Sequence, residues 1–293
     1  MKKSSTQDGP SACGGGLLDP EAPVPYAFEQ VQEDGGGGEV ARLEAQNLLF
    51  EKAGPLDQLP ALPPDGAILD VGSGTGFWSL RLAARIPQGR ITCLDRSPEL
   101  LDLARRRLEG PGATQAAFLH QDLRCLDLPE GAYDLIFTSV TLAHVQEREA
   151  TLARLVAALK PGGWIACFEP AQQARQFCDL HPPCPSLSFL MDHLLEEVLA
   201  RGSDLSVGLK LAHDLERLGM EETVMRNYGA ALHGEDLQTC LREVFLPLAG
   251  AYLRRRWEPG ILASHLDAAA QEATLPHLWL DFRRSVVLAR KPA

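Results

Sequence analysis

The chain has 293 residues, of which 45% are hydrophobic and 23% charged, and its formal net charge is −11 at pH 7. This composition predicts a globular protein with a sizeable core, and the acidic balance argues against the basic surface of a nucleic-acid-binding protein. Seven scattered cysteines are more typical of reduced thiols than of a disulfide framework. No apolar run reaches the ~18 residues of a membrane span, and no signal peptide is visible. We therefore expect a cytoplasmic protein without a membrane segment.

The first segment, residues 1–38, is rich in Gly, Ser and Pro and ends in four consecutive glycines, so it is predicted to be flexible. Residues 39–52 are predicted to form a helix. One side of this helix carries Val40, Leu43, Asn47 and Phe50. A glycine hinge before a helix suits a lid, and an ordinary packing helix is the alternative. The lid region is assigned to residues 39–64.

The stretch from Ala67 to Arg85 reads AILDVGSGTGFWSLRLAAR. It predicts a buried strand, a tight glycine turn and an amphipathic helix. Glycines allow a ligand to approach the backbone closely, and N–H groups at a helix start suit an electron-rich ligand. A dinucleotide fingerprint requires G-x-G-x-x-G, and Phe77 stands where its third glycine would fall. This argues against a nicotinamide-dependent oxidoreductase, an alternative that NADH binding would revive.

Two further strands are predicted next, at Ile91–Asp95 and Ala116–Leu119. Asp95 ends the first of them about 20 residues after the glycine turn, where an acidic residue can bind both hydroxyls of a ribose. The second leads to Asp122. A solvated strand-end or turn residue is the alternative for both acids.

A fourth strand is predicted at Tyr133–Ser139 and is followed by His144. A helix then ends at the sequence Lys-Pro-Gly-Gly, residues 160–163, before a fifth strand at Trp164–Glu169. Alternating strands and helices predict a parallel sheet with helices on both faces, and ligands bind at the carboxyl ends of such strands. The candidate ligand-binding residues at those ends are Asp70, Gly72, Asp95, Asp122, Ser139 and Glu169.

The succession D-V-G-S-G-T-G, Asp95, Asp122, Y-D-L-I-F…H-V and L-K-P-G-G-W…E-P over residues 65–170 resembles the motifs of the class I S-adenosylmethionine (SAM)-dependent methyltransferases. The resemblance implies an α/β fold: a doubly wound, seven-stranded, mostly parallel Rossmann-like sheet with an antiparallel last strand, plus a helical cap. It implies SAM as the cofactor and S-adenosylhomocysteine as its product. The segments R-L-E-A-Q and G-L-K-L…L-E-R-L-G-M are similar to a group of small-molecule methyltransferases, many from microbial specialised metabolism.

The resemblance also implies particular roles in binding the cofactor. Asp95 would bind the ribose, Asp122 would accept from the adenine amino group, and Arg42 and Gln46 would lie on a helix that closes over the cofactor. The implied cofactor-binding residues are Arg42, Gln46, Asp70, Gly72, Ser73, Gly74, Gly76, Asp95, Arg96, Asp122, Leu123 and Ser139.

The remainder of the chain, residues 171–276, holds more helix than a minimal fold needs and is predicted to be a substrate cap, with a sixth strand at Thr223–Met225. Its apolar periodicity predicts helices near 191–198, 205–215, 237–248 and 261–266. The third of these should be kinked at Pro247. Residues 277–293 are predicted to supply the final strand of the core sheet.

Methyl transfer from a sulfonium is an in-line displacement that needs alignment in a water-poor site, and a hydroxyl acceptor usually needs a base. The candidate bases are His144, Glu169, His181 and His233. His144 has the best position, after the fourth strand. A structural hydrogen bond is the alternative for His144, and shaping the pocket is the alternative for Glu169.

Cys178, His181 and Cys184 are spaced C-x2-H-x2-C. Zinc favours such ligands, but a closed site needs four of them, and the surrounding prolines favour a rigid loop. No metal is predicted.

The leading hypothesis is a methyltransferase that acts on oxygen or nitrogen of a small molecule such as a natural product. Residues 138–141 lack the N-P-P-Y motif of the enzymes that methylate exocyclic amines, and together with the negative net charge this argues against a DNA target. Carbon methylation stays open. The alternatives are methylation of a peptide or protein, and a catalytically silent SAM-binding regulatory module.

Overall fold

A computed structural model describes residues 25–52, 54–109, 115–172 and 179–293 of the chain. Five strands form the parallel part of one sheet. Their bounds are β1 Ala67–Val71, β2 Arg90–Asp95, β3 Gln115–His120, β4 Tyr133–Ser139 and β5 Leu159–Pro170. The apolar residues of β1 are buried on both faces of the sheet, as expected for a central parallel strand.

Three further strands complete the sheet: β6 Asp179–His181, β7 Glu221–His233 and β8 Trp279–Arg290. The strand order is β3-β2-β1-β4-β5-β8-β6, and β7 pairs with β8. β8 runs antiparallel to β5, β6 and β7. Because β7 pairs with β8 along its whole length, β5 and β6 share the other edge of β8. The predicted fold class is confirmed, with the three-residue β6 as an addition to the seven expected strands.

Helices cover both faces of the sheet. On one face, α3 Phe77–Ala83 and α4 Pro98–Leu108 pack through Leu82 and Leu101 against Ile68 of β1. On the other, α5 Arg148–Ala158 and α7 Leu211–Arg217 pack against Leu69. Successive residues of β1 thus serve opposite layers, the period-two alternation of a strand.

A second core holds the cap together. It joins Val31 of α1 Phe28–Asp34 to α6 Pro185–Ala200 and to the helices that follow β7. Those helices are α8 Gly234–Thr239, α9 Leu246–Leu253 and α10 Pro259–Glu272. A π-helical segment, Cys240–Phe245, joins α8 to α9 just before Pro247. Proline lacks an N–H and disturbs the preceding helical turn, which explains why the irregularity lies where the kink was predicted.

Three expectations about the flanking regions need correction. Within the segment predicted to be flexible, residues 28–34 form α1, whose Phe28 and Val31 are buried. The predicted helix near 205–215 is mostly α7, which packs on the sheet and not in the cap. The sixth strand extends well beyond Thr223–Met225 because β7 follows β8 over its full length. Residues 1–24 lie outside the described residues.

The helix α2, Glu39–Glu51, matches the predicted lid helix in extent. Its buried positions are Glu39, Arg42, Ala45 and Leu49, one helical step away from the apolar side expected from the sequence. The buried face of α2 therefore includes a charged pair, Glu39 and Arg42, and is not the apolar side that was predicted to be buried.

Cys125 is disulfide-bonded, whereas the scattered cysteines were expected to be reduced thiols and not a disulfide framework. Cys93, Cys167, Cys184 and Cys240 are free. None of the described helices is both long enough and apolar enough to cross a membrane.

Candidate active site

A cavity of about 330 Å³ opens at the carboxyl ends of β1, β2, β4 and β5, beneath α2 and the cap helices α6 and α9. Ten of the twelve predicted cofactor-binding residues line it. They are Arg42, Gln46, Gly72, Ser73, Gly74, Asp95, Arg96, Asp122, Leu123 and Ser139. Asp70 and Gly76 are absent from the lining.

The glycine turn after β1 is held by β2. The N–H groups of Gly72 and Ser73 donate to the Leu94 carbonyl at 2.8 and 3.0 Å, and the Gly74 N–H donates to Asp95 Oδ2 at 2.8 Å. These N–H groups are therefore engaged within the protein. What the turn offers a ligand is space, since a Cβ on Gly74 (φ +54°) would meet no atom within 4 Å among the described residues.

Asp70 and Gly76 lie at the two ends of the glycine turn and contact the helices α3 and α4. Asp70 is buried and accepts a hydrogen bond from Ser79 Oγ of α3 at 2.5 Å. Burial raises the pKa of Asp70 to about 7, the Ser79 hydrogen bond opposes this rise, and the charge of Asp95 adds to it. Gly76 has φ +77°, and a Cβ there would lie 2.8 Å from Cα of Ala104 in α4. Both residues thus lie outside the cavity lining, and their predicted role in binding the cofactor stays a prediction.

Asp95 faces the cavity from the end of β2, and its two oxygens also brace the neighbouring backbone. Oδ2 accepts from Gly74 N–H and Oδ1 from Ser97 N–H at 2.9 Å. Burial raises the pKa of the carboxyl, and these backbone hydrogen bonds oppose the rise. Because each carboxylate oxygen can accept more than one hydrogen bond, the predicted contact with a ribose is compatible with both.

Asp122 lines the cavity after β3 and is paired with Arg124 through Oδ2 and Nη2 at 2.8 Å. Partial burial tends to raise its pKa, but the Arg124 hydrogen bonds outweigh this and leave the pKa below the usual value. Two buried hydroxyls also line the cavity, Ser73 Oγ and Ser139 Oγ, and neither has a hydrogen-bond partner among the described residues. Buried hydroxyls are normally satisfied, so both suit a polar ligand.

Arg42 is fixed within α2 by two neighbours. Its Nε and Nη2 each donate to Glu39 at 2.7 Å, and Nη1 donates to Gln46 Oε1 at 2.9 Å. Tyr26 Oη also donates to Glu39 at 2.7 Å. Glu39 and Arg42 are both buried, and the neighbouring carboxylate holds the pKa of Arg42 above its ordinary value despite the opposing effect of burial. The pair ties the segment before α2 to the roof of the cavity.

His144 lines the cavity after β4. Its Nδ1 lies 2.9 Å from Ser203 Oγ, and its ring stacks on Tyr26. Burial, with a smaller effect from the charge of Arg42, lowers the pKa of His144 to about 4. The imidazole is therefore neutral at physiological pH, the form that a base requires.

Glu169, the other predicted catalytic residue, does not line the cavity. Its buried carboxylate accepts from Thr138 Oγ1 at 2.8 Å and from three backbone N–H groups at 3.1 to 3.3 Å. These N–H groups belong to Thr141, Leu142 and Ala143. Burial raises the pKa of Glu169 and the hydrogen bonds oppose the rise. Glu169 therefore holds the turn that leads to His144.

The two remaining candidate bases lie elsewhere. His181 stacks on Trp279, with ring centroids 4.4 Å apart, and both His181 and His233 are exposed and outside the cavity lining. Cys178 of the C-x2-H-x2-C pattern lies outside the described residues. Among the residues that are described, no group of three or more His, Cys, Asp or Glu side chains could hold a metal ion.

The unpredicted aromatic and charged residues of the lining include Tyr26, Trp78, Tyr252 and Arg284. Trp78 follows the glycine turn directly and donates through Nε1 to Asn47 of α2 at 3.1 Å. Tyr26 is an aromatic residue in a segment that is otherwise rich in Gly, Ser and Pro. This contrast is the sequence signal that could have indicated its contact with the rest of the protein. Tyr252 and Arg284 carry no local sequence signal, because packing of α9 and pairing of β8 bring them to the cavity.

Arg284 lines the cavity and is 5% exposed. Its guanidinium carbon lies 3.2 Å from the ring centroid of Phe50 in α2 and 5.1 Å from that of Phe168 in β5. Burial lowers the pKa of Arg284 to about 9, although Glu169 and Cys240 act in the opposite direction. The residue thus links α2 to the end of β5.

The sheet order, the antiparallel β8 and a cavity at the carboxyl ends of the strands define a Rossmann-like methyltransferase fold. Residues 68–163 match the family model described as a methyltransferase domain. The chain therefore carries such a domain, and the resemblance to the class I methyltransferases is confirmed.

Named relatives also match part of the chain. The chain is 30% identical over 106 residues to a demethylmenaquinone methyltransferase of Listeria welshimeri, covering 36% of this chain and 45% of that protein. It is 29% identical over 142 residues to a malonyl-[acyl-carrier protein] O-methyltransferase of Xylella fastidiosa, covering 48% and 46%. The matched segment thus spans less than half the length of each relative.

A solved structure of Haemonchus contortus phosphoethanolamine N-methyltransferase 2, in complex with phosphomonomethylethanolamine and S-adenosylhomocysteine, superimposes with a TM-score of 0.57. The alignment covers 92% of this chain and 61% of that protein at 14% identity. At this identity the likeness concerns the fold alone.

Proposed function

We propose that this protein is a SAM-dependent methyltransferase that transfers a methyl group to an oxygen or nitrogen nucleophile of a small molecule. One observation carries the proposal. Gly74, Asp95, Asp122 and Ser139 come from four separate loops and line one cavity together with His144. The methyltransferase-domain match over residues 68–163 and the similarity to a named methyltransferase support it.

The residues present fit SAM. Asp95 has acceptor capacity for ribose hydroxyls, and the region of Asp122 and Leu123 would hold the adenine. The buried hydroxyls of Ser73 and Ser139 lack hydrogen-bond partners among the described residues. Polar atoms of the bound cofactor would supply such partners. The open space above Gly74 would admit the ligand close to the backbone. When bound, the cofactor supplies an electrophilic methyl group on a positively charged sulfur.

The protein's own contribution would be to align the acceptor, exclude water and take a proton. The neutral imidazole of His144 is suited to the last task when the acceptor is a hydroxyl. When Nδ1 donates to Ser203 Oγ, the lone pair that a base needs is on Nε2. Glu169 would act through the turn at residues 141–143, by fixing where His144 stands. An amine acceptor that arrives unprotonated would need no base.

The acceptor side of the cavity favours a small molecule. It is roofed by α2, α6 and α9 and lined there by Val198, Leu205, Leu248 and Tyr252. Such an apolar enclosure suits a ligand that is largely buried on binding. The relative named a demethylmenaquinone methyltransferase supports a small-molecule acceptor, and the one named a malonyl-[acyl-carrier protein] O-methyltransferase supports a small acyl group. The choice between oxygen and nitrogen is part of the proposal.

Calorimetry with SAM, S-adenosylhomocysteine and NADH tests the cofactor directly. We expect micromolar binding of SAM or S-adenosylhomocysteine and no heat with NADH. Well-folded protein that binds neither adenosyl compound would refute the proposal. Binding followed by no turnover across a broad acceptor panel would favour the silent regulatory module instead.

A further inference from the structure

The segment after α6, residues 201–206, leads the chain from the cap back to the sheet, and we call it the docking loop. The Gly202 N–H donates to the Leu199 carbonyl at 2.9 Å, and the Ser203 N–H donates to the Val198 carbonyl at 3.2 Å. With φ +91° at Gly202, this pattern is a Schellman motif, which ends a helix at a defined angle. The motif therefore fixes the direction in which Ser203 leaves α6.

The docking loop is anchored to the turn after β4 and to its neighbours. The Asp204 N–H donates to the Ala143 carbonyl at 2.7 Å, and Arg148 Nη1 of α5 donates to the Asp204 carboxylate at 3.1 Å. The carbonyl of Leu205 accepts from the Gln172 N–H, just after β5, at 2.9 Å. Three separate parts of the methyltransferase domain and its flank thus hold the loop in place.

Ser203 uses this frame to contact the imidazole of His144. Its buried Oγ lies 2.9 Å from His144 Nδ1, and the neighbouring backbone is close to the same turn, since a Cβ on Gly202 would clash with the side chain of Gln146. The opposite contact comes from Tyr26, whose ring stacks on the imidazole. Stacking sets the plane of the ring, and the hydrogen bond at Nδ1 sets its rotation within that plane.

The hydrogen bond at Nδ1 also bears on which nitrogen of His144 carries the proton. A neutral imidazole has one N–H and one lone pair, and the partner of one nitrogen decides what the other presents. Because Nδ1 faces Ser203, Nε2 is the nitrogen left for the cavity. Arg42 lines the same cavity, and its charge acts on His144. A cation favours a lone pair over an N–H on the side that faces it.

We propose that Ser203 is a positioning residue for the candidate base: its Oγ accepts from Nδ1–H of His144 and so presents the Nε2 lone pair to the methyl acceptor. This inference rests on the proposed methyltransferase function. The proton of an acceptor hydroxyl passes to Nε2 as its oxygen bonds to the methyl carbon, and the electron pair of the broken carbon–sulfur bond stays on sulfur. Val198 and Leu205, on either side of Ser203, line the cavity, so an acceptor would contact the segment that orients the base.

NMR of the full chain labelled with [15N]histidine tests the proposal without any ligand. A long-range 1H–15N spectrum at pH 7 observes the neutral imidazole, because the pKa of His144 is about 4, and the His144→Gln variant identifies its signals. A ring nitrogen with a lone pair resonates far downfield of one with a proton. We expect the downfield signal to be Nε2, and a downfield Nδ1 would overturn the proposal. Failure to bind S-adenosylhomocysteine would instead count against the proposed function and leave this readout intact.

Variants of the docking loop test whether Ser203 is the cause. Ser203→Ala should move the Nε2 signal of His144 towards the protonated position, because Nδ1 loses its acceptor and an imidazole in water favours the proton on Nε2. Ser203→Thr, which keeps a hydroxyl, should retain the wild-type pattern. Ser206→Ala is the matched control, since it removes a hydroxyl that donates to Asp204 Oδ1 at 2.7 Å in the same loop. An unchanged spectrum in Ser203→Ala, or an equal shift in Ser206→Ala, refutes the proposal.

Discussion

The ring of Tyr26 stacks on the imidazole of His144, with centroids 5.3 Å apart and an angle of 29° between the planes. Tyr26 precedes α1, whereas His144 follows β4. The contact therefore joins the N-terminal segment to the candidate base. It makes the environment of His144 depend on residues more than a hundred positions away, and it leads to a first prediction.

Tyr26→Ala should raise the pKa of His144 from about 4 towards the ordinary histidine value, because the ring that buries the imidazole is removed. The histidine signals followed by NMR between pH 3 and pH 8 measure this directly. Tyr26→Phe is the control, since it keeps the ring and should leave the pKa low. A low pKa in Tyr26→Ala would mean that other groups bury His144.

Glu39→Gln should destabilise the protein by about 3–5 kcal/mol, because it leaves the Arg42 charge buried without its carboxylate. Glu51→Gln on the same helix breaks the partly exposed pair with Arg81 and should cost less than ~1 kcal/mol. Urea unfolding of the two variants compares them. Equal losses would show that the buried pair is no more important than the surface one.

Asp70 should make stability depend on pH. Its folded-state pKa of about 7 lies above the unfolded value of about 4, so the folded state retains the proton more tightly. The stability this provides is fully present below pH 4 and is lost as the pH rises towards 7. Relative to wild type, Asp70→Asn should therefore gain stability with rising pH, by at most about 4 kcal/mol. Urea unfolding at pH 5 and pH 8 tests it, and a constant difference between the two proteins would contradict it.

Asp95→Asn should weaken S-adenosylhomocysteine binding by about 1–3 kcal/mol, because charged acceptors of the ribose hydroxyls become a neutral amide. Asn is preferable to Ala here, since Asp95 also braces Gly74 and Ser97. Asp102→Asn, at an exposed acid of α4, is the control. An unchanged dissociation constant in Asp95→Asn would remove this residue from the ribose role.

Gly74 and Gly76 should respond differently to alanine. Both have positive φ, which costs a non-glycine residue about 1 kcal/mol. A Cβ on Gly76 also meets Ala104, whereas one on Gly74 meets no described atom within 4 Å. We expect Gly76→Ala to lose more stability in urea unfolding and Gly74→Ala to lose more affinity for S-adenosylhomocysteine. The reverse order would show that Gly76 faces the ligand after all.

The elements of the sheet could be predicted because their signals are local. A buried apolar run followed by an acid, as in Ile91–Asp95, indicates both the strand and the side chain at its end. The same glycine pattern could not distinguish Gly74, which faces open space, from Gly76, which faces α4. That distinction depends on a helix nearly 30 residues further along the chain.

The part of the cavity near Arg284 could not be predicted from local sequence patterns. Arg283 and Arg284 are adjacent and chemically identical, and only the register of β8 against β5 decides which is buried. Glu169 was predicted to be catalytic because it ends the fifth strand, but its burial beneath the turn at residues 141–143 is a tertiary property. Conversely, the buried face of α2 includes the charged residues Glu39 and Arg42. Such a face does not show the hydrophobic periodicity by which buried helix faces are recognised.

The central place of β8 has a consequence for biosynthesis. This strand is translated after β5, β6 and β7, yet it lies between them and pairs with all three. Until residues 279–290 are available, β5 and β7 each present an unpaired edge, the kind of surface through which nascent chains associate wrongly. The same strand brings Arg284 to the cavity. Pairing of β8 therefore covers the exposed strand edges and completes the cavity lining in one folding step.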